Sequence, residues 1–454
     1  MKDWLRGHPY FLPWTALLLL LLAVGGVGAW HVYTRGLVVT GMHDLAPWGL
    51  WITVDLSAIG LGAGAFLLSA AIYLLHLREF RPLARVAVVV GLLGYTSAAL
   101  ALFLDLGRPD RFWHPLVFWN PHSVLWEITM CVVLYTGVLV MEAAPIVGYA
   151  RWFESRAPRL ARLLQKAHDL APVLAVLGLF LSLLHQSSLG ATYAVLTARP
   201  LWGKPGTAVM FLANAVAAGP ALTIVATLVA GRVLRRAVVP RETLERLGRF
   251  VGAALAVYLY IRLWDLLAMA YTHLPGRVEG LELLTRGPLS PTFWLGEMLL
   301  GGLVPVLLLL VPRLREQPWA LGVGCGLAAI GLVCARWDVN LSALLVHVGY
   351  VPGELVGALT TYRPTWVEWV TTLAILAHAL LGFTLAVQFL PLFGAEPVRA
   401  TAALREQAAT VPPGSRPGRK RQAEDGGASR RKGGDRTRNL WPGGNRGRAL
   451  RNPP

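Results

Sequence analysis

Gly107-Arg108-Pro109-Asp110-Arg111-Phe112-Trp113-His114, followed by Trp119-Asn120-Pro121-His122-Ser123, sits between two apolar runs, 83–105 and 123–144. The stretch is too short and too rich in Gly and Pro to be a domain, so it reads as a turn joining two helices. The flanking runs are long enough to cross a hydrocarbon core of about 30 Å at 1.5 Å per residue. They show no two-residue alternation, and in lipid only helices or closed barrels satisfy every backbone group. The chain is therefore expected to be helical and membrane-spanning. A plain connector would be polar and unremarked. This one gathers two guanidinium groups, two imidazoles and two indoles at one membrane surface. An interfacial aromatic belt with snorkelling Arg is the simpler account. Against it, similar clusters recur on this side alone.

The rest of the chain follows the same pattern. Hydrophobic residues make up 55 % and charged residues only 15 %, and mean hydropathy is +0.53, which excludes a water-soluble globule. Further spans are read at 11–33, 47–76, 168–190, 207–230, 249–273, 290–312, 318–337 and 364–391, about ten in all. Val27-Gly28-Ala29 resembles a signal-peptidase site, but an uncleaved first span is the preferred reading. Cys131, Cys325 and Cys334 all lie in apolar runs, and no C-x-x-C occurs. The chain by itself thus offers no frame for an iron–sulfur cluster or a c-type haem.

Net charge is +17, of which the segment after Phe393, with fourteen Lys/Arg against five Asp/Glu, supplies +9. Two domains are expected: a polytopic membrane domain over 1–394 and a disordered, basic, cytoplasmic tail over 395–454. Its runs Arg419-Lys420-Arg421 and Arg430-Arg431-Lys432 suit anionic lipid or nucleic acid. A solvated tail is the reading adopted, with membrane lipids as neighbours and no nucleic-acid partner. The remaining loops fall into two alternating sets. One, from Lys2 and Arg6 through Arg78, Arg151–Lys166 and Arg232–Arg249 to Arg315, holds eighteen Lys/Arg; the other holds nine. The positive-inside rule places the first set, and both termini, in the cytoplasm.

The motif-like clusters fall on the opposite, outer face. They are Gly41–Trp51, Gly107–Ser123, His185–Gly190, Arg199–Trp202, Arg336–Asn340 and Tyr362–Trp366. Ionisable groups inside the spans, each costing at least about 2.5–3.5 kcal/mol at a helix centre, concentrate there too. Arg262 and Asp265, at i and i+3, can pair with each other, and Glu368 suits a helix start. Asp55, about 12 Å below Pro47, and Glu127 have no such local explanation. Carboxylates, imidazoles and indoles at an outer interface suit a quinone, whose carbonyls need hydrogen-bond donors and whose reduction needs two protons. A b-type haem would need axial His within the spans. His185 and His378 are the histidines well inside, and no helix pairs two for stacked haems. A transporter would predict internal repeats, and none is evident. Glu142, Asp169 and Asp265 leave a proton-translocating subunit open.

Pro47-Trp48-Gly49-Leu50-Trp51, Gly60-x-Gly62-x-Gly64, and Asp105-Leu106-Gly107-Arg108-Pro109 with Trp113-His114 resemble the NrfD-like family of polysulfide reductase membrane subunits. Trp119–Ser123, His185–Gly190 and Arg336-Trp337-x-Val339-Asn340 resemble its hydrogenase branch, the so-called cytochrome b (HybB-like) subunits of periplasmic nickel–iron hydrogenases. The likeness runs from about 35 to 391. It implies an all-α membrane anchor of ten helices, expected as two four-helix bundles plus flanking helices, with no haem or iron–sulfur cluster of its own. It also implies electrons arriving from a periplasmic iron–sulfur ferredoxin-like subunit, with hydrogenase small and large subunits behind it, and menaquinone or ubiquinone near the periplasmic face of the cell inner membrane. Asp55, Asp105, Glu127, His122 and His185 are the expected proton-handling groups. Trp48, Ser123 and Gln186 are expected to line the quinone pocket. Arg108 and His114 would shape the docking face or steady a semiquinone anion. A sulfur-compound reductase or multihaem-cytochrome complex is the alternative setting.

Overall fold

The structure is a computed structural model and describes residues 10–274, 276–351 and 354–393. The expected tail and the basic residues Lys2 and Arg6 lie outside the described residues. Within them, ten helices are long and apolar enough to cross a membrane, and the chain is a multi-pass integral membrane protein. The helices are α1 (Phe11–Arg35), α2 (Leu50–Leu74), α3 (Arg81–Asp105), α4 (Val124–Gly148) and α5 (Ala171–Ala194). They continue with α6 (Gly206–Val233) and α7 (Arg241–Thr272). Next, α8 is a π-helix over Thr292–Leu303 that becomes α-helical over Val304–Leu310. Finally, α9 (Ala320–Trp337) runs into a π turn over Asp338–Ser342, and α10 is Trp366–Phe389.

Helices α2 to α5 pack as one four-helix bundle and α6 to α9 as a second, while α1 pairs with α10 and leans on α3. The bundles meet where α2 lies along α6. Backbone touches backbone there: a Cβ on Gly64 would sit 2.0 Å from the Ala215 carbonyl oxygen. Such contact needs small residues, as is common where membrane helices approach closely. Similarly, Gly25 of α1 faces Ala374 of α10 so closely that an added Cβ would fall 2.1 Å from the alanine Cβ.

The sequence also sets where helices begin. Ser123 caps α4, its Oγ accepting from the Trp126 N–H at 3.3 Å, which satisfies one of the donors a helix start leaves free. Thr365 and Glu368 form a capping box on α10. The α9–α10 connection adds a short antiparallel hairpin, β1 (Val346–Val351) with β2 (Glu354–Leu359), in the register Val346 opposite Leu359. It is tied down by the Val348 N–H donating to the Ala198 carbonyl at 3.1 Å. Because the helices alternate in direction, the hairpin shares one end of the molecule with the Gly36–Gly49, Leu106–Ser123, Val195–Pro205 and His273–Pro291 connections. All the motif-like clusters therefore gather at that end.

Candidate functional site

Asp55 stands in the second turn of α2, 2 % exposed, and its Oδ1 is buried without a hydrogen-bond partner. Asp105, at the last residue of α3, lies close enough to feel its charge and likewise buries an unpartnered Oδ1. Two buried tyrosines, Tyr95 and Tyr193, feel the charge of Asp55. The Tyr95 hydroxyl is 2.9 Å from Nδ1 of His185, which is fully buried and leaves Nε2 without a partner. The Tyr193 hydroxyl donates to Asn340 Oδ1 at 3.0 Å. The amide of Asn340 donates in turn to the Gly49 carbonyl at 3.1 Å and to Thr53 Oγ1 at 3.0 Å. The π turn of α9 is thereby fastened to the start of α2, two residues from Asp55. Trp48 closes this corner, its ring 5.3 Å from both Tyr193 and Trp202.

Beneath these groups lies Arg336, 2 % exposed. It makes no ion pair within the described residues. Instead its guanidinium sits 3.5 Å from the centroid of the Phe211 ring, and Nη2 donates to the Phe211 carbonyl at 3.0 Å and to Gln186 Oε1 at 3.4 Å. This buried positive charge is supported by carbonyl dipoles and a ring face, and it acts on the Tyr193 hydroxyl.

On the other side, Glu368 reaches towards Asp105 and is fully buried. It accepts from the N–H groups of Gly41 (2.8 Å) and Thr365 (2.9 Å) and from the Tyr362 hydroxyl. Tyr362 also accepts from the Leu50 N–H at 2.7 Å. Burial, and then the bond to Glu368, push the Tyr362 phenol up, so it stays a neutral donor holding the α2 start to the α10 start.

An apolar cleft of about 300 Å³ opens between α1, α3 and α10, lined by Leu22, Gly25, Phe103, Leu104, Pro109 and Thr371 among others. Leu104 adjoins Asp105. Thr371 accepts from the Trp51 indole at 2.8 Å, so the cleft's inner wall is one residue layer from the α2 face that bears Asp55. The cleft is open to the outside of the helical bundle, where lipid would be.

Among the ten residues singled out in the sequence, Asp55, Asp105, His185, Gln186 and Trp48 come together here. The others do not join them. Glu127 is half-buried on α4 and accepts from Cys131 Sγ at 3.3 Å. Ser123 serves as the α4 cap. Arg108 is largely exposed and paired with Asp110 at 3.1 Å. His114 packs edge-on against Trp113 and Phe118, and His122 is exposed. The Arg108–Asp110 hydrogen bond raises the guanidinium and lowers the carboxyl, so both stay charged at the surface. Sequence reasoning passed over Tyr95, Tyr193 and Asn340. The first two read as core aromatics in apolar helices. Asn340 lay in a quoted motif, and its position beside a buried Arg was the available signal.

The family model described as polysulphide reductase, NrfD, matches residues 38–349. The integral membrane subunit of menaquinone reductase from Nitratidesulfovibrio vulgaris is 33 % identical over 402 residues, covering 85 % of this chain and 93 % of its own length. The probable Ni/Fe-hydrogenase 2 b-type cytochrome subunit of Escherichia coli is 27 % identical over 365 residues, covering 78 % and 85 % respectively. A polysulfide reductase polypeptide of Wolinella succinogenes is 25 % identical over 273 residues, covering 59 % and 84 %.

Proposed function

The chain belongs to the NrfD family of polysulphide reductase membrane subunits, and from that membership we propose that it exchanges protons and electrons with membrane quinone at the Asp55–Asp105 site. The observation that carries this is the unpartnered, buried carboxyl of Asp55 near Asp105, with the Tyr95–His185 and Tyr193–Asn340 pairs in the same region and an apolar cleft one residue layer away. A quinone supplies the two-electron chemistry when bound. The residues fit its needs: the cleft suits an isoprenoid tail, and the polar groups suit a head with two carbonyls. When the Tyr95 hydroxyl donates to Nδ1 of His185, the ring proton sits on Nε2, and that free N–H is a ready donor. Asp55 and Asp105 hold protons next to it in a region from which water is largely excluded. Arg336 offsets negative charge as they are given up.

With no cluster-binding cysteines in this chain, electrons enter through a partner, which we propose to be an iron–sulfur ferredoxin-like protein at the motif-bearing end. The relatives are named for different redox reactions. The more identical one is a menaquinone reductase subunit, which favours menaquinone here. A nickel–iron hydrogenase module is supported by a second relative and by the Trp119–Ser123 and His185–Gly190 motifs. The charge asymmetry of the loops favours an inner membrane with the motif end on the periplasmic side.

The test is Asp55→Asn in the assembled complex. Quinone turnover is expected to fall at least about tenfold, a rise of about 1.4 kcal/mol or more in the barrier, with the complex still assembled and visible spectra free of haem bands. Wild-type turnover in an assembled Asp55→Asn complex would remove Asp55 from the proton path.

A further inference from the structure

Of the two histidines well inside the spans, the Asp55 site uses His185 and leaves His378 over. His378 lies twelve residues into α10, about 18 Å from the Trp366 end at 1.5 Å per residue, and so near the middle of the hydrocarbon. It is half-buried. Its Nε2 is 3.0 Å from Thr96 Oγ1 on α3. Its Nδ1 makes no hydrogen bond among the described residues and, unlike Nε2 of His185, is not sealed in protein.

The pair continues the apolar cleft. The cleft takes Thr371, Ala374 and Ile375 from α10 and Leu100, Phe103 and Leu104 from α3. His378 is four residues after Ala374 and three after Ile375, and Thr96 is four before Leu100. Both therefore sit one turn deeper on the same helix faces. Apart from Tyr33 and Thr371, the lining side chains are hydrocarbon. The Thr371 hydroxyl is already engaged, accepting from the Trp51 indole and donating to the Val367 carbonyl at 2.8 Å. A polar molecule entering from lipid thus finds open partners at His378, below the deep end, and at Asp105, beside Leu104.

Polar side chains commonly join membrane helices by hydrogen bonds, and the bond to Thr96 does so here. That role uses Nε2 and leaves Nδ1 over. A bare ring nitrogen facing hydrocarbon is costly, so it calls for a ligand that lives in lipid and carries a polar group. The hydrogen bonds select its chemistry. Thr96 Oγ1 is 2.9 Å from the Leu92 carbonyl oxygen and 3.2 Å from that of Leu93, and its single proton goes to them. Nε2 of His378 then donates to Thr96, which leaves Nδ1 of the neutral ring as an acceptor. An acceptor takes a hydroxyl. A quinone offers carbonyls, which are acceptors only; its reduced form, a quinol, offers two hydroxyl donors.

We propose that His378 is a holding position for quinol, on the route between lipid and the Asp55 site, with a quinol hydroxyl donating to Nδ1. Thr96 is a positioning residue that fixes which ring nitrogen is free. The proposal rests on the quinone reading and adds to it a preference for one redox state: quinol is held here and quinone passes.

The experiment is nitrogen-15 NMR of the full chain in lipid bilayers, labelled at histidine. His378 is assigned by its loss in His378→Gln, or by its shift in Thr96→Val. The probes are a short-tailed naphthoquinol and its oxidised form at equal concentration. The unmutated chain should carry the His378 proton on Nε2, and quinol should move the Nδ1 resonance where quinone leaves it in place. Thr96→Val should reduce this preference several-fold. A ring protonated on Nδ1, or an equal response to the two probes, overturns the preference, and no response to either overturns the position. Silence at His378 while Asp55→Asn still lowers turnover removes the holding position alone. A responding His378 with normal Asp55→Asn turnover removes Asp55 from the proton path and leaves the holding position standing.

Discussion

The buried Oδ1 of Asp55 has no hydrogen-bond partner, and the groups that share its electrostatics, Asp105 and Tyr95 on α3 and Tyr193 on α5, are none of them adjacent in sequence. That is why the residue types were legible and their partners were not. An ionisable group in an apolar run stands out at once, and Asp55, Asp105 and His185 were found that way. Tyrosine does not stand out, because its ring belongs in a core and only the position of its hydroxyl gives it a role. The loop residues are a different case: Arg108 and His122 are exposed and His114 packs against Trp113 and Phe118, so they lie apart from the buried groups, where the sequence offered Arg108 and His114 for a docking face. Lys204 shows how one residue outside the spans sets a pH response. Burial lowers its amine from 10.5 to about 8, even with Asp265 opposing the shift. Between those two values the unfolded chain binds a proton that the native chain lacks, so stability from this group rises with pH across that window. Below about 8 both states are protonated and the contribution is flat. Thermal unfolding followed across this range should show wild type gaining on Lys204→Met as pH climbs from about 8 towards 10.5; parallel curves would show that Lys204 keeps its ordinary affinity.

Among the elements, the spans follow directly from hydropathy, because each must bury about twenty consecutive residues in hydrocarbon. The largest difference is α7, expected from 249 and found from Arg241. Its extra turns carry Glu242, Glu245 and Arg246, and the i,i+4 pairs Arg241–Glu245 and Arg246–Glu242, both 2.6 Å, extend the helix beyond the apolar stretch. The π segments of α8 and α9 were not legible, since an inserted backbone residue is decided by how two helices seat against each other. The glycines of α2 were legible as contact residues, though not which helix they meet. Gly64 decides how the bundles join. Alanine there would drive a Cβ to within 2.0 Å of the Ala215 carbonyl oxygen, which is backbone and cannot rotate aside. Gly64→Ala should therefore lose more than the about 1–3 kcal/mol usual for overpacking, read as a lower unfolding temperature or loss of folded yield. Gly137→Ala on α4 is the matched control: an added Cβ meets nothing within 4 Å, and replacing a helical glycine should gain up to about 1 kcal/mol. Equal losses in the two variants would mean that the α2–α6 contact does not govern stability.

For the whole molecule, everything about direction depends on which end faces which compartment. The alternation of the ten described helices puts the Asp55 site, the cleft and Lys204 at one end, and the short basic helices Arg151–Arg156 and Pro158–Lys166 at the other. Charge distribution between loops then assigns the sides, because translocating Lys and Arg is disfavoured. Cysteine labelling can check this with little background, since Cys131 and Cys325 are buried and Cys334 is half-buried. Trp119, 66 % exposed, marks the motif-bearing end, and Leu163, 63 % exposed, marks the basic end. In intact cells stripped of their outer membrane, a membrane-impermeant maleimide should modify Trp119→Cys and spare Leu163→Cys until the membrane is opened. The reverse pattern would turn the motif-bearing end towards the cytoplasm and overturn the proposed periplasmic electron donor. Under the proposed quinone reading, the same labelling fixes the compartment from which an electron donor would reach the motif-bearing end.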